Sequence, residues 1–235
     1  MLLYVCVFDE IKMLNFIKKW LTPLKQENDE RVSEDLAVIW IHGANQSGLS
    51  FQYLRSLTRF KNELVVDYDT SNKFFNNLEM LSNKIKQVRG PYFIIGHSLG
   101  GLYALHLTKY VDIVGAVSIS TPFAGSWTAD WARFFVPTYQ LFREVGRRSI
   151  PIKESQGINL KVEWTQIVST RGNVPYHGGQ NDGVCTIKSM KSRKDMELIE
   201  VPHTHFEVMC SDLVAGIILD RYQKVLRSRL NRKVT

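Results

Sequence analysis

The sequence predicts an α/β domain built on a doubly wound, mostly parallel sheet, and three observations predict it. Short continuous apolar runs such as Leu36–Ile41, Tyr92–Ile95 and Ile113–Ile119 have the length and even hydrophobicity of strands buried on both faces. Segments of helical periodicity alternate with these runs, which is the signature of right-handed β-α-β crossovers. The chain has 235 residues, 44% apolar and 23% charged, enough for one such domain around a single core.

Each element follows in order. Leu36–Ile41 reads as the first strand of the domain and Phe51–Phe60 as a helix. Leu64–Tyr68 is a second strand and Phe74–Val88 a second helix. Tyr92–Ile95 is a third strand, and Ser98–Tyr110 continues it as a helix after a very short turn. Ile113–Ile119 is a fourth strand, followed by a long insertion at about 123–155. Val162–Val168 and Glu197–Val201 complete six strands, and Phe206–Arg229 reads as a long closing helix. The domain therefore occupies residues 36–235. Residues 1–35 look like an appendage: apolar positions between Ile11 and Leu24 form one helical face flanked by Lys12, Lys18, Lys19 and Lys25, and a polar linker follows. Such a face either docks on a domain or lies in a membrane interface.

Charge and cysteine content narrow the function classes. A net charge of +7 implies attraction to anionic surfaces, a peripheral membrane contact among them, or serves solubility; it is not read as specific nucleic-acid binding. Cys6, Cys185 and Cys210 are sparse, odd in number and widely spaced, which argues against a disulfide framework and against a metal site. No apolar run approaches the ~20 residues that span a bilayer. Met1–Phe8 is apolar, but it lacks a preceding basic region and Asp9-Glu10 follow directly, so no cleavable secretory signal is expected and a cytoplasmic location is.

The most informative stretch is Gly96-His97-Ser98-Leu99-Gly100, a G-x-S-x-G between a strand and a helix. In that context the serine backbone is forced into a strained turn, and the positions two before and two after it have no room for a side chain. The hydroxyl is lifted clear of the sheet, and the N–H of Leu99 lies at a helix N-terminus where it can stabilise an oxyanion. A serine hydroxyl is a poor nucleophile at neutral pH and needs an imidazole base, itself held by a carboxylate. In this class of sheet the chain order is serine, acid, histidine. The histidines in the C-terminal half are His177, His203 and His205. His205 stands directly before the closing helix and is the expected base, with His203 as the fallback; His177 lies in a Gly-rich loop upstream of the acid. Asp182, in Asn181-Asp182-Gly183-Val184, is the expected acid, and Asp195 the weaker choice. Ile41-His42-Gly43-Ala44 ends the first strand and offers the Ala44 N–H as the second oxyanion donor, with His42 as a loop brace.

Taken together, the His42-Gly43 turn, Gly96–Gly101, Asn181–Val184 and His205 before a helix resemble the α/β-hydrolase superfamily, in particular its compact lipases and esterases. Ser120-Thr121-Pro122-Phe123-Ala124-Gly125-Ser126 is similar to the loop that opens into a lid in bacterial lipases. The resemblance spans roughly 36–228 and implies a minimal six-strand core, a lid-like insertion and a Ser98, Asp182, His205 triad that cleaves carboxylic esters of lipids or other acyl-bearing molecules without a cofactor. The same acyl-enzyme could serve an acyltransferase or thioesterase, and a hydrolase-like binding module is the non-enzymatic alternative. The insertion is rich in aromatics (Phe123, Trp127, Trp131, Phe134, Phe135, Tyr139 and Phe142), which suits an apolar flap over the serine or simple packing onto the domain.

Overall fold

A computed structural model describes residues 36–126, 129, 144–175 and 179–234. Strands β1 (Ala37–Ile41), β2 (Glu63–Val66), β3 (Tyr92–His97), β4 (Ile113–Ile119), β5 (Glu163–Ser169) and β6 (Glu197–Val201) form one sheet. Its order is β2-β1-β3-β4-β5-β6, and every pairing is parallel. The helices are α1 (Gln52–Thr58), α2 (Phe74–Ile85), α3 (Leu99–Leu107), α4 (Ile150–Gln156), α5 (Ile187–Met190) and α6 (Asp212–Val234). The doubly wound, six-stranded prediction therefore holds.

The two-faced burial explains why the strands lack alternation. Ala37, Ile39 and Ile41 pack on one face with Leu78, Leu81 and Tyr103 of α2 and α3. Val38 and Trp40 pack on the other with Leu54 of α1 and Ile218, Tyr222 and Val225 of α6. Strand β1 feeds both cores, so each of its five positions is apolar and buried. Helix α3 has no polar face, because all nine of its residues are buried. It lies so close to β1 that a Cβ at Gly100 would sit 2.0 Å from the Ile41 carbonyl oxygen. Gly100→Ala is therefore expected to cost on the order of 3 kcal/mol or more of stability, because the clash is with backbone that cannot rotate away. Urea unfolding checks this, and a midpoint equal to that of the unmodified protein would refute the close approach.

Sequence and structure differ at three places. The closing helix starts at Asp212 rather than Phe206, since Ser211 is extended and a separate 3-10 turn occupies Glu207–Cys210. Helix α4 was not foreseen. It is short, capped by Ser149 and carries Pro151 in its first turn, all at the end of an insertion that showed no clear period. The single turn α5, capped by the Thr186 hydroxyl, is too short to leave a periodic signal. The predicted helix at Ile11–Leu24, His177 and the insertion aromatics from Trp127 to Phe142 lie outside the described residues. The ends of the insertion do meet: Ser126 bridges Gly146, and its N–H donates to Val145 O at 2.8 Å. Phe123 is fully buried in the core beside α3, so this one aromatic packs the domain. Among the described residues no helix is long and apolar enough to cross a membrane.

Candidate active site

Parallel strands collect the residues of interest at one edge of the sheet. Ser98 follows the last residue of β3 and caps α3 with φ 50° and ψ −116°, a backbone state that L-residues rarely adopt. The strain is enforced by crowding: a Cβ at Gly96 would lie 2.6 Å from the Gly100 carbonyl group, so the chain must turn sharply with glycine on both sides. The Leu99 N–H starts α3, and the Ala44 N–H lies in the loop after β1. Neither amide donates to an acceptor among the described residues. A Cβ at Gly43 would lie 3.2 Å from the Ser98 Cβ, so the loop that carries Ala44 runs beside the serine turn.

Asp182 and His205 come together although 23 residues separate them. His205 Nδ1 lies 2.7 Å from Asp182 Oδ2, and the His205 N–H donates to the Asp182 carbonyl at 2.9 Å. Both side chains are buried. The second carboxylate oxygen, Oδ1, accepts from the amides of Val184 (3.0 Å) and Cys185 (2.7 Å). Burial alone would push this carboxyl up, but the His205 hydrogen bond and charge, then the Ser169 hydroxyl and the Cys185 amide, outweigh it and hold it below its usual value. Since Nδ1 donates to an ionised carboxylate, Nε2 of neutral His205 carries a free lone pair. The imidazole of His97, the residue before Ser98, has its ring centre 4.9 Å from that of His205.

The other candidates are placed elsewhere. Asp195 precedes β6, at the opposite edge of the parallel sheet from Ser98, and is tied to Arg193 at 3.0 Å. His203 bonds the Ser211 hydroxyl at 2.8 Å and pairs with no acid among the described residues. His42 is the expected brace: it stacks on Tyr68 at 4.2 Å, accepts the Tyr68 N–H on Nε2 (3.2 Å) and hence donates from Nδ1 to Gly43 O (2.8 Å).

Three contributors escaped sequence reasoning. Gln46 accepts the Gly43 N–H at 3.2 Å and faces His97 Nδ1 at 3.0 Å, so it ties the Ala44 loop to the serine turn. His97 Nε2 faces the His205 carbonyl oxygen at 3.0 Å. Burial takes His97 down to about 3, so it is neutral at pH 7 and its one N–H serves one of these two acceptors at a time. Ser169, at the end of β5, donates to Asp182 Oδ2 at 2.5 Å. Ser169 is one of several polar residues in β5, beside Thr165 and Gln166, so the sequence did not single it out and strand pairing was needed to give it a partner.

The buried histidines carry a stability consequence. His42, His97 and His106 are all lowered from 6.5, chiefly by burial. As pH falls below that value the unfolded chain takes up protons that the fold refuses, so stability is complete above it and lost below, by up to about 1.4 kcal/mol per pH unit for each group. For His97 the loss continues to about 3. Denaturant midpoints at pH 7.5 and pH 5 check this, and His97→Gln is expected to flatten the dependence. An equally steep dependence in that variant would show that His97 is not its source.

A parallel sheet with a strained serine turn after β3 and a buried Asp-His pair after β5 and β6 defines the α/β-hydrolase class. A model of the alpha/beta hydrolase family matches residues 38–171, more than half of the chain, and the chain belongs to that family. Sequence comparison with curated proteins gives no match. Solved structures are similar to this one in fold. A lipase-esterase related protein from Clostridium acetobutylicum has a TM-score of 0.52 at 13% identity, covering 80% of this chain and 94% of that one. Tomato methylketone synthase I, complexed with 2-tridecanone, gives 0.54 at 13%, covering 81% and 99%. The thioesterase domain from the curacin biosynthetic pathway gives 0.50 at 15%, covering 80% and 92%. Family and fold together support a hydrolase.

Proposed function

We propose that this chain is a serine hydrolase that cleaves carboxylic esters, of lipids or other acyl-bearing molecules, through an acyl-enzyme. The buried Asp182–His205 bond of 2.7 Å beside the strained Ser98 turn carries the reading. Ser98 Oγ attacks the ester carbonyl and its proton passes to His205 Nε2. The carbonyl oxygen becomes an oxyanion, held by the N–H groups of Ala44 and Leu99. Asp182 fixes the tautomer of His205 and stabilises the imidazolium without itself taking the proton. Collapse of the tetrahedral intermediate expels the alcohol, which takes the proton from His205. Water, activated by the same base, then releases the acid and restores Ser98. An apolar flap over the serine would make a water-poor site, and such a site also suits transfer of the acyl group to an alcohol or thiol. Product analysis separates hydrolysis from transfer.

A panel of p-nitrophenyl esters of graded chain length, with a fluorophosphonate probe, tests the proposal. Hydrolysis of some member of the panel and labelling at Ser98 are expected. A protein inert to every ester and unlabelled by the probe would overturn it.

The appendage and the basic surface support a second proposal, peripheral contact with anionic membrane. Arg221 and Lys224 of α6 already face Glu197 (2.6 Å) and Glu163 (3.2 Å), so their charge is partly spent within the fold. The lysines flanking Ile11–Leu24 then supply much of the attraction, up to about 1 kcal/mol each and screened by salt. Removing residues 1–30 is expected to leave ester turnover unchanged and to weaken co-sedimentation with anionic vesicles at low salt. Equal pelleting of both forms would refute it.

A further inference from the structure

The Asp182 carboxylate has a fourth partner that the reaction above does not use. Ser169 Oγ lies 2.5 Å from Oδ2, the same oxygen that binds His205, and Ser120 Oγ lies 2.6 Å from Ser169 Oγ. Valence fixes the directions. An ionised carboxylate has no proton to give, so Ser169 donates to it. Each hydroxyl has one proton, so Ser120 donates to Ser169. The protons thus point in sequence from Ser120 to Ser169 to Asp182, where they meet the N–H of His205. Ser120, Ser169 and Asp182 are all fully buried, so no solvent competes for these bonds.

The backbone shows how firmly Ser120 is held. It follows the last residue of β4 with φ 53°, and its N–H donates to Ile167 O of β5 at 2.8 Å. A left-handed non-glycine residue persists only where its surroundings fix it. Ser169 has one competing acceptor, Met190 Sδ at 3.7 Å, and a proton received from Ser120 favours the donation to Asp182 over rotation. Among the described residues, the other ionisable groups facing the pair are His97 from β3 and Cys185 from the turn after Asp182. Both are neutral, since burial drives the imidazole down and the thiol up, so neither replaces the Ser169 hydrogen bond.

We propose that Ser169, oriented by Ser120, is a positioning residue that keeps Asp182 ionised and so sets the lower pH limit at which His205 works as a base. The proposal rests on the reading of Ser98, Asp182 and His205 given above. Without the Ser169 proton the buried carboxylate is a stronger base, and the Asp-His pair takes up its inactivating proton at higher pH.

The test is the pH profile of kcat/KM for p-nitrophenyl ester hydrolysis, with an NMR titration of His205 in the same proteins. In Ser169→Ala the acidic limb is expected to move up by about one pH unit, as for loss of a donor to a charged group. At a pH on that limb kcat/KM falls about tenfold, while the alkaline plateau stays within about threefold of the unmodified protein. Damage to packing alone would lower the whole profile evenly. Ser120→Gly relieves the left-handed backbone, so it keeps its thermal stability, and it is expected to shift the limb the same way by a smaller amount. It decides the matter if Ser169→Ala does not fold. Profiles and His205 titrations that coincide with the unmodified protein in the folded variants would overturn the proposal. If the unmodified protein hydrolyses no ester, the functional reading has failed, and the His205 titration still tests the hydroxyl chain.

Discussion

Replacing Ser98 by alanine is expected to abolish ester hydrolysis, a loss on the order of 10⁴-fold or more in turnover, and to remove fluorophosphonate labelling. The effect is this large because Ser98 forms the covalent intermediate; only the oxyanion donors and binding remain when it is gone. The fold is expected to survive, since the turn is dictated by Gly96, Gly100 and the proximity of β1 to α3, not by the hydroxyl. A second substitution separates chemistry from structure. Ser98→Gly is equally inactive, yet it relieves a backbone at φ 50° and ψ −116° and is expected to be more stable than Ser98→Ala by on the order of 1 kcal/mol. Denaturant unfolding of the two inactive variants reads that difference. Substantial activity in either variant, or probe labelling at another residue, would remove Ser98 from the mechanism.

What the sequence made legible here was local. The serine turn needs a strand, two glycines and a helix within a few residues, all contiguous around Ser98. Asp182 was readable from its Asp-Gly turn, and His205 from its place between the last strand and the closing helix. The described strands fall close to their expected bounds because burial on both faces leaves runs such as Ala37–Ile41 uniformly apolar. The parts that stayed hidden depend on pairing between distant segments. Nothing near Ser120 announces that β4 and β5 will set its hydroxyl 2.6 Å from that of Ser169. Nothing near Gln46 announces that its carboxamide will meet His97 across the sheet edge. The start of the closing helix was misread for a related reason: Ser211 leaves the helical path to bond His203, and its hydroxyl then accepts the Val214 N–H in the first turn of α6. Thr170 is placed in the same way by pairing of distant segments, its hydroxyl donating to Val201 O at the end of β6 at 3.0 Å.

The base is the second decisive test, because two histidines stand two residues apart. His205→Ala is expected to lower turnover nearly as much as Ser98→Ala, again on the order of 10⁴-fold, since nucleophile and base act as a unit. His203→Ala is expected to be mild. The His203 ring is engaged with Ser211 at 2.8 Å, so its loss weakens the junction before α6 and shows in thermal stability more than in rate. Asp182→Asn belongs to the same argument. Its backbone amide and Oδ1 partners can persist, but the amide cannot take the place of a charge beside His205, and Oδ2 is where both His205 and Ser169 donate. Turnover should fall strongly, the wrong imidazole tautomer being favoured, while Asp195→Asn disturbs the pairing with Arg193 and the bond from the Leu160 N–H, both away from Ser98. The four variants are compared by kcat/KM on one ester and by unfolding midpoint. A greater rate loss in His203→Ala than in His205→Ala, or in Asp195→Asn than in Asp182→Asn, would show that the buried pair at 2.7 Å is structural and that the base lies elsewhere.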